Sequence, residues 1–390
     1  MSVMKQTLKA IVIGLGIFMI TCSIANSKTL RIGLATAQTG GLAPYDVPVL
    51  EGFKIAVDEI NQAGGIDGKI KIELISKDVR SDVSQTAIAA QELIDEKVDI
   101  LITPCDADPS IAAAQIALAA EVPTFSTCAS SPTLPVMGGE YMFANFPGDN
   151  VQVTVSASWA IQQGFKTAFI LYSPDSQYTT MPLYFEEVFT KLGGKIVGKI
   201  EYKMDQQNFS SEVTKIKALN SQPDVIMTSA YEPDFPVFVR QLRAAGITSQ
   251  VIGSDGIDSP TTFSLGKAVE GLVFTTAGHA MPGNSLEAFN KKYKKIYGRP
   301  SETVFNAIGY DLVKVIEAAV IACGSTNGKE IRNAITSLEN VQGATGLITY
   351  KGTQGMPLRQ VALIKVKNGK RELVEMKSPD AALVPAPRMN

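Results

Sequence analysis

This chain of 390 residues is poor in the side chains that most catalysis uses. It has one histidine, His279, one tryptophan and four cysteines. One imidazole excludes a multi-histidine metal site. A Ser-His-Asp hydrolase would have to rely on His279, and no Gly-x-Ser-x-Gly elbow accompanies it. No P-loop is present and no Gly-x-Gly-x-x-Gly follows a strand, which removes the common phosphate-cradling loops. Gly14-Leu-Gly16 does not count, because it lies inside an apolar run with no strand–turn–helix around it. A basic surface is missing as well, which argues against nucleic acid or an anionic membrane as a partner. The reading is a binding protein rather than an enzyme, with no cofactor and no metal.

Acidic residues are absent from the first 45 positions; the first carboxylate is Asp46. Residues 1–27 carry Lys5 and Lys9 and then an unbroken apolar stretch of 11 residues, Ala10 to Ile20. That suits a secretory signal and falls short of the ~20 residues of a membrane span. Ser23-Ile-Ala25 and Ala25-Asn-Ser27 offer small residues for cleavage, so the mature chain is expected to start near Asn26 or Lys28, in the periplasm. A retained anchor is one alternative. Lipidation at Cys22 is another, although Thr21 makes a poor lipobox. Removing residues 1–27 leaves 34 basic against 38 acidic side chains, a net charge of −4.

What is present is an alternation of apolar strands and amphipathic helices. Strands are predicted at 29–36, 70–76, 99–104 and 123–127, with helices at 48–62, 83–95 and 109–120 between them. The second half repeats the scheme. Helices at 150–163, 181–192, 210–220 and 234–245 precede strands at 167–172, 195–202, 224–230 and 250–253. Strands this apolar are buried on both faces, as in parallel sheets covered by helices. Helices at about 285–297, 302–323 and 328–337 follow, then two alternating strands around Asn368-Gly369, a hairpin signature. The expected architecture is α/β, with two Rossmann-like lobes, three crossings and a cleft between them. Residues 28–147 with 279–355 form one lobe and 148–278 with 356–378 the other. Residues 379–390 form a loose tail.

In open α/β sheets ligands sit beyond the carboxyl ends of the strands. Those positions hold Tyr45, Asp106-Ala107-Asp108 and Cys128-Ala129-Ser130-Ser131 in the first half, and Ser176-Gln-Tyr178, Tyr231 and Asp255 in the second. Rings on both sides and an acid on one suit a small polar or amphipathic solute. Asp108 before Pro109 also reads as a helix N-cap. Cys105 and Cys128 end strands that, if parallel neighbours, put their sulfurs at one edge; a disulfide and two free thiols both remain open. Cys323 reads as a buried thiol late in a helix. Trp159 reads as core.

Four runs carry a resemblance: Asp58-Glu-Ile-Asn-Gln-Ala-Gly-Gly-Ile-Asp-Gly68, Val122-Pro-Thr-Phe-Ser-Thr-Cys-Ala-Ser-Ser-Pro132, Gln241-Leu-Arg-Ala-Ala-Gly246 and Gly253-Ser-Asp-Gly256. With them the chain resembles, over about residues 29–376, the branched-chain amino acid type of ABC-transporter substrate-binding proteins, the periplasmic binding fold type I. The resemblance implies a monomer that closes on a small-molecule solute and docks on an ABC permease driven by ATPase subunits. It implies that Tyr45 covers the ligand, and that Cys128 (through its backbone) and Ser130 hold a carboxylate. Tyr178 and Tyr231 become second-lobe contacts, Asp255 the partner of an ammonium, and Phe305, in Val304-Phe-Asn-Ala-Ile-Gly-Tyr310, a ring facing the ligand side chain.

One segment departs from the pattern. Amino-acid binders of that type carry a serine-rich stretch where this chain has Asp106-Ala107-Asp108. A carboxylate beside the ligand's own would repel it in a closed cleft. Either Asp106 turns away, or the solute is an amide, an amino alcohol or an aromatic or alicyclic compound. A solute sensor of the same fold is the second functional reading, and a secreted hydrolase using His279 the third.

Overall fold

The computed structural model describes residues 28–175 and 181–388. The expected signal segment, Cys22 and Tyr178 lie outside them. Two sheets organise the chain. The first is built from β1 (Lys28–Thr36), α1 (Ala43–Gln62), β2 (Ile70–Asp78), α2 (Val83–Asp95), β3 (Ile100–Thr103), α3 (Ala107–Ala119), β4 (Thr124–Ser126), α4 (Leu134–Gly138) and β5 (Met142–Phe143). Its strands are parallel, in the order β2-β1-β3-β4-β5.

The second sheet repeats that order. It uses α5 (Asp149–Gln162), β6 (Thr167–Tyr172), α6 (Met181–Lys191), β7 (Lys195–Glu201), α7 (Ser210–Lys217), β8 (Val225–Thr228), α8 (Asp234–Ala244), β9 (Gln250–Gly253), α9 (Pro260–Ser264) and β10 (Val273–Thr276). The parallel part runs β10-β9-β8-β6-β7. In each sheet the first strand therefore sits between the second and the third, which creates a topological switch point where the connections diverge.

The chain then supplies α10 (Ser285–Tyr297), α11 (Phe305–Cys323), α12 (Gly328–Ile335) and the small ladder β11 (Val341–Gln342)–β12 (Leu347–Ile348). It finishes with β13 (Val361–Lys367) and β14 (Lys370–Lys377), an antiparallel hairpin added to the edge of the second sheet at β10. Asn368 and Gly369 both take positive φ, 52° and 67°, as its tight turn demands.

Helix α11 belongs with the first sheet because it shares that core: Leu312, Val313 and Ile316 join Leu30, Ile32, Phe53 and Phe125. Two glycines set how closely α11 approaches α1. A Cβ on Gly52 would stand 1.6 Å from the carbonyl oxygen of Asn306, and one on Gly309 would stand 1.8 Å from that of Val49. The two backbones touch with no side chain between them. A buried pair, Arg359 and Asp311 at 2.5 Å, fixes the other end of this region. Arg359 also donates to the carbonyl of Asn145, and Asp311 accepts from Thr345.

Several expectations are corrected. Helix α1 starts at Ala43 rather than 48, so Tyr45 lies in its first turn and not in a loop. Helix α3 starts at Ala107, so Asp106 is its N-cap and Asp108 is inside it. Residues 382–388, inside the tail expected to be loose, are held. Pro385 O accepts from Asn150 Nδ2 (2.7 Å), Ala382 O from Lys191 Nζ (2.7 Å), and Tyr184 Oη from Arg388 N (2.8 Å). Cys323 is only partly buried, because α11 ends there against an αL glycine, Gly324. Strands β5 and β10 add to the expected set, and β5, at two residues, is too short for any periodicity to register.

Candidate functional site

The strand ends expected to hold a ligand face each other across one partly open cavity. The space within it and at its mouth amounts to about 410 Å³. Tyr45, Asp106, Ala107, Cys128, Ala129 and Ser130 line it from the first sheet's side, Tyr231 and Asp255 from the second, and Phe305 from the start of α11. Tyr178 lies outside the described residues. Leu42, Cys105, Ser131 and Gly256 complete the lining. Gly256 could not be read as a lining residue from the sequence, since it contributes only backbone.

Each wall follows from topology. Tyr45 comes after β1 and Asp106 after β3, on either side of the first switch point. Tyr231 comes after β8, the strand next to β6 at the second switch point. Asp255 opens a short 3₁₀ turn after β9, and the Ser254 side chain caps that turn by accepting from Gly256 N at 3.3 Å.

The rings are interlocked. Tyr45 meets Phe305 edge to face at a centroid distance of 5.6 Å and Tyr231 at 6.1 Å, with interplanar angles of 87° and 81°. Phe146 backs Phe305 at 5.8 Å. The close crossing of α1 and α11 is what brings Tyr45 and Phe305 together. The Tyr45 hydroxyl donates to the carbonyl of Gly256 at 2.9 Å, a direct bridge between the two sides. Burial, together with the carboxylates of Glu232 and Asp255, raises the Tyr45 phenol pKa, so it stays a hydrogen-bond donor.

Cys105 and Cys128 are disulfide-bonded, with Cα atoms 4.6 Å apart, so the open alternative resolves to the bond. The bridge ties the loop after β3 to the loop after β4 inside the cavity wall.

Two carboxylates that sequence reasoning did not single out stand directly behind the wall. Asp46 is fully buried and accepts from Ala37 N at 2.7 Å, Cys105 N at 2.8 Å and Thr127 Oγ1 at 2.6 Å. These donors come from the loops after β1, β3 and β4, so one side chain gathers all three. Burial raises the Asp46 carboxyl to about 7, against the lowering effect of its donors. The hint in the sequence was its place, one residue after Tyr45 in the first turn of a helix that leaves a parallel strand.

Asp149, in the first turn of α5, is the second. Its amide donates to Ser130 O at 2.8 Å. Burial and the neighbouring Asp255 push its carboxyl well above the ordinary range, while Ser130 beside it acts in the opposite direction. Ser130 Oγ and both Asp149 carboxyl oxygens are buried, and the hydroxyl serves the carboxyl as a hydrogen-bond partner. Asp255 accepts from Gln152 Nε2 at 3.4 Å, and Gln152 in turn accepts from Thr275 at 2.8 Å.

Asp106 does not turn away: it lines the cavity. One carboxylate oxygen caps α3 by accepting from Asp108 N at 3.4 Å. Burial first, and Asp108 second, raise its carboxyl to about 7.

His279 takes no part in this cavity. It is half-buried in a separate hollow lined also by Asp258, Ser301, Thr303 and Arg371. Burial and the Arg371 guanidinium lower its pKa.

Comparison with known proteins gives one consistent result. The sequence model of the family described as periplasmic binding protein matches residues 29–371. The Leu/Ile/Val-binding protein BraC3 of Rhizobium johnstonii is 26% identical over 347 residues, 87% of this chain and 92% of that protein. Among solved structures, a leucine-binding protein LivK from Thermotoga maritima superposes with a TM-score of 0.82 at 29% identity, covering 90% of this chain and 99% of that one. The branched-chain amino acid transporter substrate-binding protein LivJ from Streptococcus pneumoniae, solved with isoleucine, superposes with a TM-score of 0.81 at 26% identity, covering 90% and 100%.

Proposed function

Because the chain belongs to the periplasmic binding protein family, matched over residues 29–371 and of the branched-chain amino acid type, we propose that it is the extracytoplasmic solute-binding component of an ABC importer. In this reading residues 28–147 with 279–355 and residues 148–278 with 356–378 are two lobes that close on a small amino-acid-like, amide or aromatic solute and carry it to a membrane permease. The hydrogen bond from Tyr45 to Gly256 carries the reading: it joins two residues that line one cavity from opposite sides. A solute bridging both walls favours the closed form by its differential contacts, and the closed form is what a permease would recognise.

The roles follow from position. Tyr45, Tyr231 and Phe305 surround the apolar part of the solute. Ala107, Ala129 and the Cys128 backbone form a wall without bulk, Ser130 offers a hydroxyl, and Asp255 accepts N–H donors. Tyr178 is assigned to the second-lobe side.

Thermal unfolding of the purified mature protein against amino acids, amides, amines and aromatic acids tests the proposal. A true solute at 100 times its Kd adds about 2.7 kcal/mol to stability by mass action. A protein whose midpoint no solute moves is not a solute-binding component.

A further inference from the structure

The electrostatics of the cavity narrow the class of solute. This step rests on the solute-binding reading above and deepens it. Asp106 lines the cavity from one side and Asp255 from the other, and no Lys, Arg or His is among the lining residues. Asp149 is 0% exposed and borders both Asp255 and Ser130. Its carboxyl and the Ser130 hydroxyl are buried together behind the wall and act on each other as hydrogen-bond partners. Glu232 adds a further acid beside Tyr45.

The wall around Cys128 and Ser130, where the resemblance implies a carboxylate, is thus flanked by Asp106 and backed by Asp149. An anionic group there would face the Asp106 carboxylate, ionised at pH 8, across a short, poorly screened distance, with no cation among the lining residues to offset it. A cation meets the opposite situation. It would find acids on both sides and the faces and edges of Tyr45, Tyr231 and Phe305, rings that interlock at 5.6 and 6.1 Å. Rings of this kind attract ammonium groups by about 0.5–2 kcal/mol each.

We infer that the solute of this cleft is a small organic cation without a carboxylate, an alkyl- or aralkyl-ammonium compound, held between Asp106 and Asp255 within the Tyr45–Tyr231–Phe305 rings. Asp106 is then the residue that sets specificity against zwitterionic amino acids.

The test compares compounds that share a skeleton. Isoamylamine, L-leucine, isovaleramide and isovalerate, and the corresponding phenethylamine, L-phenylalanine, phenylpropionamide and phenylpropionate, are titrated calorimetrically into the full mature protein at low salt and pH 8. The amine of at least one series should bind at least tenfold tighter than the amino acid, the amide and the acid of that series. Asp106→Ser and Asp106→Asn both keep a good N-cap, so α3 should stay folded. In Asp106→Ser the preference for amine over amino acid should shrink at least tenfold, and the far-UV spectrum and melting midpoint should report an intact fold.

An amino acid, acid or amide that binds better than its amine overturns the cation class and leaves the solute-binding reading standing. An Asp106→Ser variant with an unchanged preference overturns the role of Asp106. If no compound of any class binds, both this inference and the reading beneath it fall.

Discussion

The hydroxyl of Tyr45 donates to the carbonyl oxygen of Gly256 at 2.9 Å, joining positions 211 residues apart from opposite walls of the cleft. If the two walls close on a solute as proposed, this contact favours the closed form, and removing it should change the open–closed balance without removing any ring. Tyr45→Phe should weaken binding of whatever solute is found about fivefold, the worth of a hydrogen bond of ~1 kcal/mol. Small-angle scattering should show a larger open fraction in the solute-free variant. Equal scattering profiles and equal affinities would mean that the contact contributes nothing to closure.

Asp255 and Asp149 are neighbouring buried carboxyls, and Asp255 is one of the causes that raise the Asp149 carboxyl. Taking one away should relieve the other. Asp255→Asn is therefore expected to leave the unfolding free energy unchanged or raised by up to about 1 kcal/mol, while solute affinity drops at least tenfold. Calorimetric binding and denaturant unfolding of the same preparation separate the two effects.

The crossing of α1 and α11 has no room for a methyl group. Gly309→Ala would place its Cβ 1.8 Å from the Val49 carbonyl oxygen, so the helices must part. A loss of about 1–3 kcal/mol is expected from overpacking of this sort. Solute affinity should also fall, because Phe305 at the start of α11 would withdraw from Tyr45. Substituting an exposed glycine such as Gly324 would not reproduce the second effect.

How much of this was legible beforehand depends on the length scale of each signal. Long elements announced themselves: the buried stripe of α1 around Phe53, Ala56, Val57 and Ile60, and the hairpin around Asn368-Gly369, are periodic or carry a turn that only certain residues adopt. Positions just beyond strand ends could be listed because an open α/β sheet places its ligand there, and nine listed residues do line one cavity. What was not legible depends on contacts distant in sequence. Gly52 against Asn306, Asp46 against Thr127 and Asp149 against Asp255 have no local signature. Short pieces such as β5 exist only because β4 is already in place to pair with them.

Asp46 and Asp106 both hold protons more tightly in the folded protein, with carboxyls raised to about 7 from an ordinary 3.8. Between those values the native state binds more protons than the unfolded chain. The slope of stability with pH is then negative: stability should fall as pH rises from about 4 to 7 and level off above. Asp46→Asn should flatten that slope in urea unfolding at fixed salt. It should also cost about 1–3 kcal/mol near pH 7, because the amide nitrogen that replaces one carboxylate oxygen cannot accept, which strands either Ala37 N or the pair Cys105 N and Thr127 Oγ1. A steeper slope in the variant would contradict the assignment.

Reducing Cys105–Cys128, which are separated by 23 residues, should lower stability by about 3 kcal/mol on loop entropy and loosen the wall that carries Ala129 and Ser130. Melting with and without reductant, in the presence of a bound solute, should show the drop and a smaller ligand-induced shift.

Asp46 has a consequence for how such a protein can evolve. Three loops around the cavity are fastened to one carboxylate, so they cannot drift independently. A new solute must be accommodated by exchanging side chains on a fixed frame, as Asp106 exemplifies, rather than by remodelling a loop. Lineages descended from this chain should therefore change their diet through single codons facing the cleft while the acid at position 46 stays untouched.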